Sequence, residues 1–133
     1  MDEAAGFGEF DGARYLNLES FRRNGQGVRT PVWFAAGVDG GPVLYVYTIA
    51  DSGKAKRIRR SGAVRIAVCD ARGNVTGRWI DARAAIVVGE AAARGMRLIN
   101  RKYRPWKQVL DLTVMLFVRH RRVVLAIRPA AWV

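Results

Sequence analysis

The sequence contains one cysteine and one histidine, and this scarcity excludes several kinds of site. A lone cysteine has no partner for an intramolecular disulfide, which is typical of a reducing compartment. Because Cys69 ends an alternating run that begins at Val64, it is expected to be a small strand residue rather than a nucleophile. His120 stands among arginines, so metal sites built from histidine and cysteine clusters, and Ser-His-Asp catalysis, lack their usual residues.

Long apolar runs are also missing. The longest, residues 112–118, is interrupted by Thr113 and is far shorter than the roughly 20 residues that cross a bilayer. The N-terminus lacks the basic start and apolar core of a signal peptide. We therefore expect a soluble cytoplasmic protein without a membrane span. The sequence also has no Walker loop and no Rossmann glycine fingerprint, which excludes the common nucleotide sites.

Acidic residues are scarce. The 133 residues include 23 bases and 11 acids, a formal net charge of +12. Residues 1–20 hold five of the acids and one base, so residues 21–133 carry +16. Such a field attracts nucleic acid, an anionic membrane surface, or a phosphorylated or acidic ligand. Because 19 of the bases are arginine and alanine and glycine are abundant, genomic base composition accounts for the excess equally well.

Length and periodicity predict one domain over residues 13–133, preceded by a mobile acidic arm over residues 1–12. The turn signal at 39–42 predicts a hairpin that joins residues 28–35 to residues 43–49. Alternating apolar residues predict strands at 15–18, 28–35, 43–49, 64–69, 79–88 and 123–128. Helical spacing predicts helices over 53–60, from Glu90 to the break at Pro105, and over 106–118. This order indicates a mainly β fold, a small antiparallel barrel of about six strands with peripheral helices.

The junction between a strand and a short helix, residues 47–57, carries the most chemical information. Thr48 and Ser52 bring hydroxyls to a helix N-terminus, where free N–H groups and the positive end of the helix dipole favour a phosphate. Lys54 and Lys56 lie in the first turn, where a cation is unfavourable for the helix itself and an anion would offset the conflict. A capped surface helix with a solvated basic face accounts for the same residues equally well.

Two other stretches combine aromatic side chains with an irregular backbone or with charge. Pro31 interrupts a strand, which indicates a sheet edge, a bulge or the approach of a group other than a strand, such as a planar heterocycle facing the neighbouring amides. Trp33 beside it is more typical of a core or dimer contact than of cofactor stacking. Arg78 and Trp79 follow a glycine-containing turn and fit a pocket rim or packing across the barrel equally well.

The basic segment 94–107 is interleaved with aromatic residues, a mixture that binds nucleic acid in some proteins. Because Met96, Ile99 and Tyr103 share one helical face, a docked amphipathic helix with a solvated basic side fits the pattern better. We therefore rank a nucleic-acid-binding module, built on this segment and on residues 119–122, below a small-molecule site.

Together these segments resemble the pyridoxamine 5′-phosphate oxidase-like flavin and deazaflavin oxidoreductases, which have a split β-barrel fold. The resemblance extends from Tyr15 to Pro129 and is nearest to the branch that uses the deazaflavin coenzyme F420. It is carried by four segments in the same order along the chain, residues 30–34, 47–60, 75–79 and 102–125.

The resemblance implies a cofactor site. Tyr47 and Thr48 are expected along the ribityl chain, and the backbone of 30–33 against the tricyclic ring. The phosphate is expected at Ser52, Lys54, Lys56 and Arg57. Flavin oxidases of this fold grip the phosphate with an Arg-Lys pair, whereas Gly53 precedes Lys54 here, and the additional bases suit the oligoglutamate tail of F420 better than FMN. The implied cofactor-binding residues are Thr30, Pro31, Val32, Trp33, Tyr47, Thr48, Ser52, Lys54, Lys56, Arg57, Arg78 and Trp79.

The resemblance also implies a homodimer with two cofactor sites at its interface, and hydride transfer between the cofactor and a small organic substrate. No residue is identified as a catalytic acid, because the cofactor carries the reaction while the protein binds and orients. The alternatives are an FMN-binding member of the same family, a nucleic-acid-binding module, and a barrel that binds cofactor without turnover.

Overall fold

The computed structural model describes residues 7–104 and 122–130. These ranges contain seven strands, two α-helices and a short 3-10 helix, Gly8–Phe10. The strands are β1 (Tyr15–Phe21), β2 (Gly27–Val32), β3 (Ala35–Val38), β4 (Pro42–Ile49), β5 (Ala63–Cys69), β6 (Ile80–Val87) and β7 (Arg122–Pro129). The helices are α1 (Gly53–Arg60) and α2 (Gly89–Tyr103).

All seven strands form one antiparallel sheet in the order β2-β1-β5-β6-β7-β4-β3. The edge strands β2 and β3 are nevertheless joined by only Trp33 and Phe34. Since extended chain covers at most about 3.6 Å per residue, Val32 and Ala35 lie within about 11 Å of each other. The sheet must therefore curl until its edges approach, which gives a split barrel. The predicted mainly β, antiparallel fold is confirmed, with seven strands instead of about six.

The predicted hairpin between residues 28–35 and 43–49 is wrong in its first strand. Residues 27–32 pair with β1, and only residues 35–38 pair with β4. The extended strand is interrupted at Phe34, whose backbone N–H donates to the Tyr103 hydroxyl at 3.0 Å. Because this partner lies 69 residues away, the alternation of neighbouring residues contains no sign of the break.

Apolar side chains form two clusters on opposite faces of β4. Leu44 and Val46 belong to the cluster inside the barrel, while Val43 and Tyr45 belong to an outer cluster that packs under α2. Strand β4 is therefore buried on both faces. Gly95 permits the close approach of α2, because a Cβ there would lie 2.8 Å from the Tyr45 ring.

Both described helices match their sequence signals. Helix α1 has the predicted bounds and buries Ala55 and Ile58, the seam expected from their spacing. Helix α2 buries Ile99 and Tyr103, and Met96 on the same stripe is half-buried. The helix predicted over 106–118 lies outside the described residues, as does His120.

Residues 7–12 of the acidic arm lie against the barrel. Phe7 and Phe10 are 6% and 2% exposed and join the interior cluster. Phe10 makes edge-to-face contacts with Phe7 at 5.8 Å and with Phe34 at 5.9 Å between ring centroids. The arm's acidic, glycine-rich composition conceals these two aromatic anchors, and residues 1–6 lie outside the described ranges.

Candidate functional site

Strand β4 delivers Thr48 to the beginning of α1. The Thr48 side chain is buried, and its Oγ1 lies 3.4 Å from Oγ of Ser52. Ser52 caps α1 by accepting a hydrogen bond from the Ala55 N–H at 3.1 Å. The first turn of α1 contains no acidic residue. The two hydroxyls predicted from sequence are therefore brought together at the positive end of the helix dipole.

Lys54 lies half-buried in this first turn. Burial, and then the charge of Arg57, lower the pKa of its ammonium group. Among the described residues no carboxylate lies within ion-pair distance of Lys54, and the neighbouring acid Asp51 is exposed. Lys56 is exposed. A partly desolvated cation without a carboxylate favours the approach of an anion.

Arg57 folds back over the N-terminus of α1. A Cβ at position 53 would lie 2.7 Å from Nη1 of Arg57, so the missing side chain of Gly53 makes room for the guanidinium. Nε of Arg57 donates to Oγ of Ser20 at 2.7 Å, and burial together with the charge of Arg22 lowers the pKa of Arg57. The second base expected beside Lys54 therefore comes from one turn further along α1.

Tyr47 and Thr48 point to opposite faces of β4, because side chains alternate along a strand. Tyr47 packs in the outer cluster under α2, with the Arg122 guanidinium 5.1 Å from its ring centroid. A ligand on one face of β4 therefore meets only one of these two side chains.

The three predicted residues of β2 lie on the edge of the sheet. Thr30 pairs with Leu18, and Pro31 occupies the next, exposed position. The sheet edge is one of the three possibilities that Pro31 left open, and the structure places Pro31 there, since proline lacks the N–H that an interior strand requires. Val32 is half-buried just before the chain crosses to β3.

Arg78 and Trp79 both have partners within the described chain. Arg78 pairs with Glu9 of the arm at 3.0 Å. The guanidinium groups of Arg29 and Arg65 lie 4.6 and 4.9 Å from the centroid of the Trp79 ring. These contacts pack Trp79 against the barrel surface, whereas Arg78 stays exposed apart from its ion pair.

Glu19 organises the arginines that contact Trp79. It is 4% exposed, and its carboxylate pairs with Arg29 at 3.0 Å and with Arg65 at 3.1 Å. Both arginines stand directly opposite Glu19 on the neighbouring strands β2 and β5. Sequence reasoning missed this group because it counted Glu19 only among the acids of residues 1–20; strand register is the signal that would have found it.

A cavity of about 570 Å³ lies near the other end of β1. Trp33 stacks on Tyr103 beside it, with ring centroids 4.5 Å apart and an interplanar angle of 7°. Lys102 lies over the Phe34 ring at 3.5 Å, and burial, with the charge of Arg14, lowers the pKa of Lys102 to about 8. We call this the Trp33 cavity; its described lining residues are Gly12, Arg14, Tyr15, Trp33, Lys102, Tyr103 and Arg104.

Two of the four bases of α2 pair with carboxylates of the described chain. Arg94 pairs with Asp39 at 3.4 Å and Arg97 with Glu90 at 2.8 Å, while Arg101 is exposed. Less free charge therefore remains on this helix for nucleic acid than the composition of 94–107 indicated.

Over residues 7–104 and 122–130, no cluster of three or more histidine, cysteine or acidic side chains is arranged to bind a metal ion. In the same ranges, no helix has the length and apolar character needed to cross a membrane. Cys69 is buried at the end of β5, and burial raises the pKa of its thiol, as expected of a strand residue.

No family model and no curated protein matches the chain, but solved structures do. The heme storage protein HutZ from Vibrio cholerae has a TM-score of 0.67 at 14% identity, covering 92% of this chain and 86% of that one. A pyridoxamine 5′-phosphate oxidase-related, FMN-binding protein from Nostoc punctiforme gives 0.55 at 15%, covering 87% and 71%. An F420 reductase gives 0.54 at 23%, covering 89% and 87%. The chain has the pyridoxamine 5′-phosphate oxidase-like split-barrel fold.

Heme, FMN and F420 occur in the names of these split-barrel proteins, so the fold does not determine the cofactor. The donors at the beginning of α1 share one kind of chemistry. Two hydroxyls, a half-buried ammonium, a guanidinium and the N-terminal amides of a helix form a donor set that suits phosphate oxygens. The residues able to hold a phosphate-bearing cofactor in this split barrel are thus Thr48, Ser52, Lys54 and Arg57.

Proposed function

We propose that this chain is an oxidoreductase that binds a phosphate-bearing flavin-type cofactor where β4 meets α1. The observation that carries the proposal is the convergence of Lys54 and Arg57 on the N-terminus of α1, beside Thr48 and Ser52, with no carboxylate to neutralise them among the described residues. A bound flavin-type cofactor supplies hydride transfer to a small organic acceptor. The chain's own residues hold the phosphate and orient the ring.

We further propose F420 in preference to FMN. Beyond Lys54 and Arg57, helix α1 carries Lys56, Arg59 and Arg60. Arg59 donates to the Ala50 carbonyl at 2.8 Å and Arg60 to the Phe21 carbonyl. Because a carbonyl is neutral, neither guanidinium group gains a counter-charge from these contacts. This surplus suits the additional carboxylates of an oligoglutamate tail. As in the resemblance, a second copy of the chain is expected to complete each site in a homodimer.

Parallel equilibrium titrations with F420 and FMN at equal salt test the proposal. Lys54→Met removes the charge while keeping most of the apolar stem. A charge-assisted hydrogen bond contributes about 1.5–3 kcal/mol, so we expect roughly tenfold weaker binding or more. Arg72→Gln is the matched control, because Arg72 is exposed in the turn after β5, at the opposite end of that strand from α1.

The outcomes separate the parts of the proposal. If neither cofactor binds, or if Lys54→Met binds both as tightly as the unmodified chain, the site is wrong. Tighter binding of FMN than of F420 would retain the site and overturn the choice of cofactor. Binding of F420 without turnover of any member of a broad acceptor panel would overturn the enzymatic part alone.

A further inference from the structure

The two edges of the sheet differ in how they are protected. Strand β2 carries Pro31, which has no N–H, and Arg29, whose side chain is 53% exposed. Prolines and charges are common means of preventing an edge strand from pairing with another chain. Strand β3, Ala35–Val38, contains neither, and among the described residues it pairs only with β4. Its outer edge therefore offers N–H and C=O groups to a further strand.

A groove of about 370 Å³ lies beside this edge, between the β3–β4 hairpin and the arm. Ala36, Val38 and Pro42 line it on the hairpin side, and Phe7 lines it on the arm side. Val38 is 79% exposed although it is apolar. We call this the β3 groove. Because side chains alternate along a strand, an added strand would place every second side chain in the groove, where an apolar one fits best.

The β3 groove has one charged residue among its described lining, Asp11. Asp11 is exposed, and no base of the described chain lies within ion-pair distance of it. An unpaired carboxylate at the border of an apolar groove attracts a cationic side chain of a ligand.

A second copy of the chain is a poor occupant of this edge. Each copy carries a net charge of +12, so two copies repel each other. Strand β3 also has only four residues, whereas a stable interface uses roughly 20–30 residues a side. A short segment with a single base meets neither obstacle.

We infer that the edge of β3 binds an extended apolar peptide segment of another protein, with a lysine or arginine side chain facing Asp11. The backbone of the segment would pair with β3, and its alternate apolar side chains would enter the β3 groove. At about 3.3 Å per residue, the four residues of β3 offer roughly 13 Å of edge. The inference is independent of the proposed function, because neither Lys54 nor Trp33 lines the β3 groove.

Fluorescence anisotropy with the full chain tests the inference. The probe is a short peptide of alternating valine and threonine that ends in lysine and is labelled at its other end. One matched peptide has glutamate in place of the lysine, which exchanges attraction for repulsion at an exposed site, so we expect about fivefold weaker binding. Another has N-methyl groups on its backbone nitrogens, which removes several hydrogen bonds, so we expect at least about tenfold weaker binding.

Two pairs of variants locate the binding. Val38→Lys places a charge on the edge of β3 and should weaken binding of the lysine peptide at least about tenfold. Val88→Lys is its matched control, because Val88 is also 79% exposed but does not line the groove. Asp11→Asn should weaken the lysine peptide about threefold, whereas Asp81→Asn, at an exposed position of β6, should not. All four side chains are exposed, so the variants are expected to fold.

Failure of the lysine peptide to bind overturns the inference, as does equal binding of the lysine and N-methylated peptides. Unchanged binding in Val38→Lys, or equal binding of the lysine and glutamate peptides, also overturns it, because the edge or the carboxylate then plays no part.

Two results would assign the edge to a different occupant and so overturn the inference. Self-association of the peptide-free chain that disappears in Val38→Lys would assign it to a second copy. Tighter binding of a peptide with the sequence of residues 1–6 than of the lysine peptide would assign it to that segment of the chain.

Discussion

Adjacent residues of β1 receive arginines in opposite ways. Glu19 offers a buried carboxylate to Arg29 and Arg65, whereas Ser20, facing the other side of the strand, offers a neutral hydroxyl to Arg57. The first group contains its own counter-charge and is covered by Trp79. The second group provides no counter-charge for Arg57. Net charge is therefore a poor guide to ligand sites in this chain, and the partner of each cation is a better one.

The largest expected effect comes from removing the counter-charge of the Glu19 group. Glu19→Gln removes the counter-charge and leaves two arginines facing each other across β1. Loss of a buried pair costs 3–5 kcal/mol, and the partial exposure of both arginines reduces this, so we expect unfolding to become easier by about 2 kcal/mol. Chemical denaturation at neutral pH measures the shift in midpoint.

The matched control is Glu90→Gln, which breaks the exposed pair with Arg97 and should leave the midpoint unchanged. Equal midpoints for Glu19→Gln and the unmodified chain would show that the Glu19 group contributes no stability, and the contrast between the two faces of β1 would lose its basis.

The next largest effect comes from giving Arg57 a counter-charge. Ser20→Asp places a carboxylate beside Arg57 and so reproduces on this face what Glu19 does on the other. We expect F420 and FMN to bind about tenfold more weakly, because the new carboxylate competes with the phosphate for Arg57 and repels it. Equilibrium titration measures the change.

Ser20→Ala is the companion variant, since it removes the hydrogen bond to Arg57 without adding charge. It should weaken cofactor binding by less, roughly threefold, because Arg57 loses its orientation but keeps its charge. If the aspartate variant binds as tightly as the alanine variant, the missing counter-charge is not what makes α1 a cofactor site.

Local signals predicted local structure well. Helix α1 was predicted with its observed bounds because Ser52 at its N-cap and Ser61-Gly62 after its end mark them in the sequence. The hydroxyls of Thr48 and Ser52 were predicted to lie together because the two residues are only four positions apart in the sequence. Pro31 marked a sheet edge because its missing N–H is a property of one residue.

The errors and omissions all involve distant partners. The break at Trp33-Phe34 depends on the hydroxyl of Tyr103, and the position of Arg57 depends on Ser20. In the sequence Glu19 was only one of five acids among residues 1–20, whereas the strand register pairs it with Arg65, 46 residues away. Such contacts depend on the topology of the fold, and the topology cannot be inferred from residue types and their spacing.

The two-residue link between β2 and β3 has a kinetic consequence. It keeps the two edges of the sheet close in sequence, yet the hydroxyl that fixes the link belongs to the last residue of α2. Contacts of such high sequence separation form only after a large loop has closed, which is slow. The barrel's seam, and with it the Trp33 cavity, is therefore complete only once α2 has docked on the sheet.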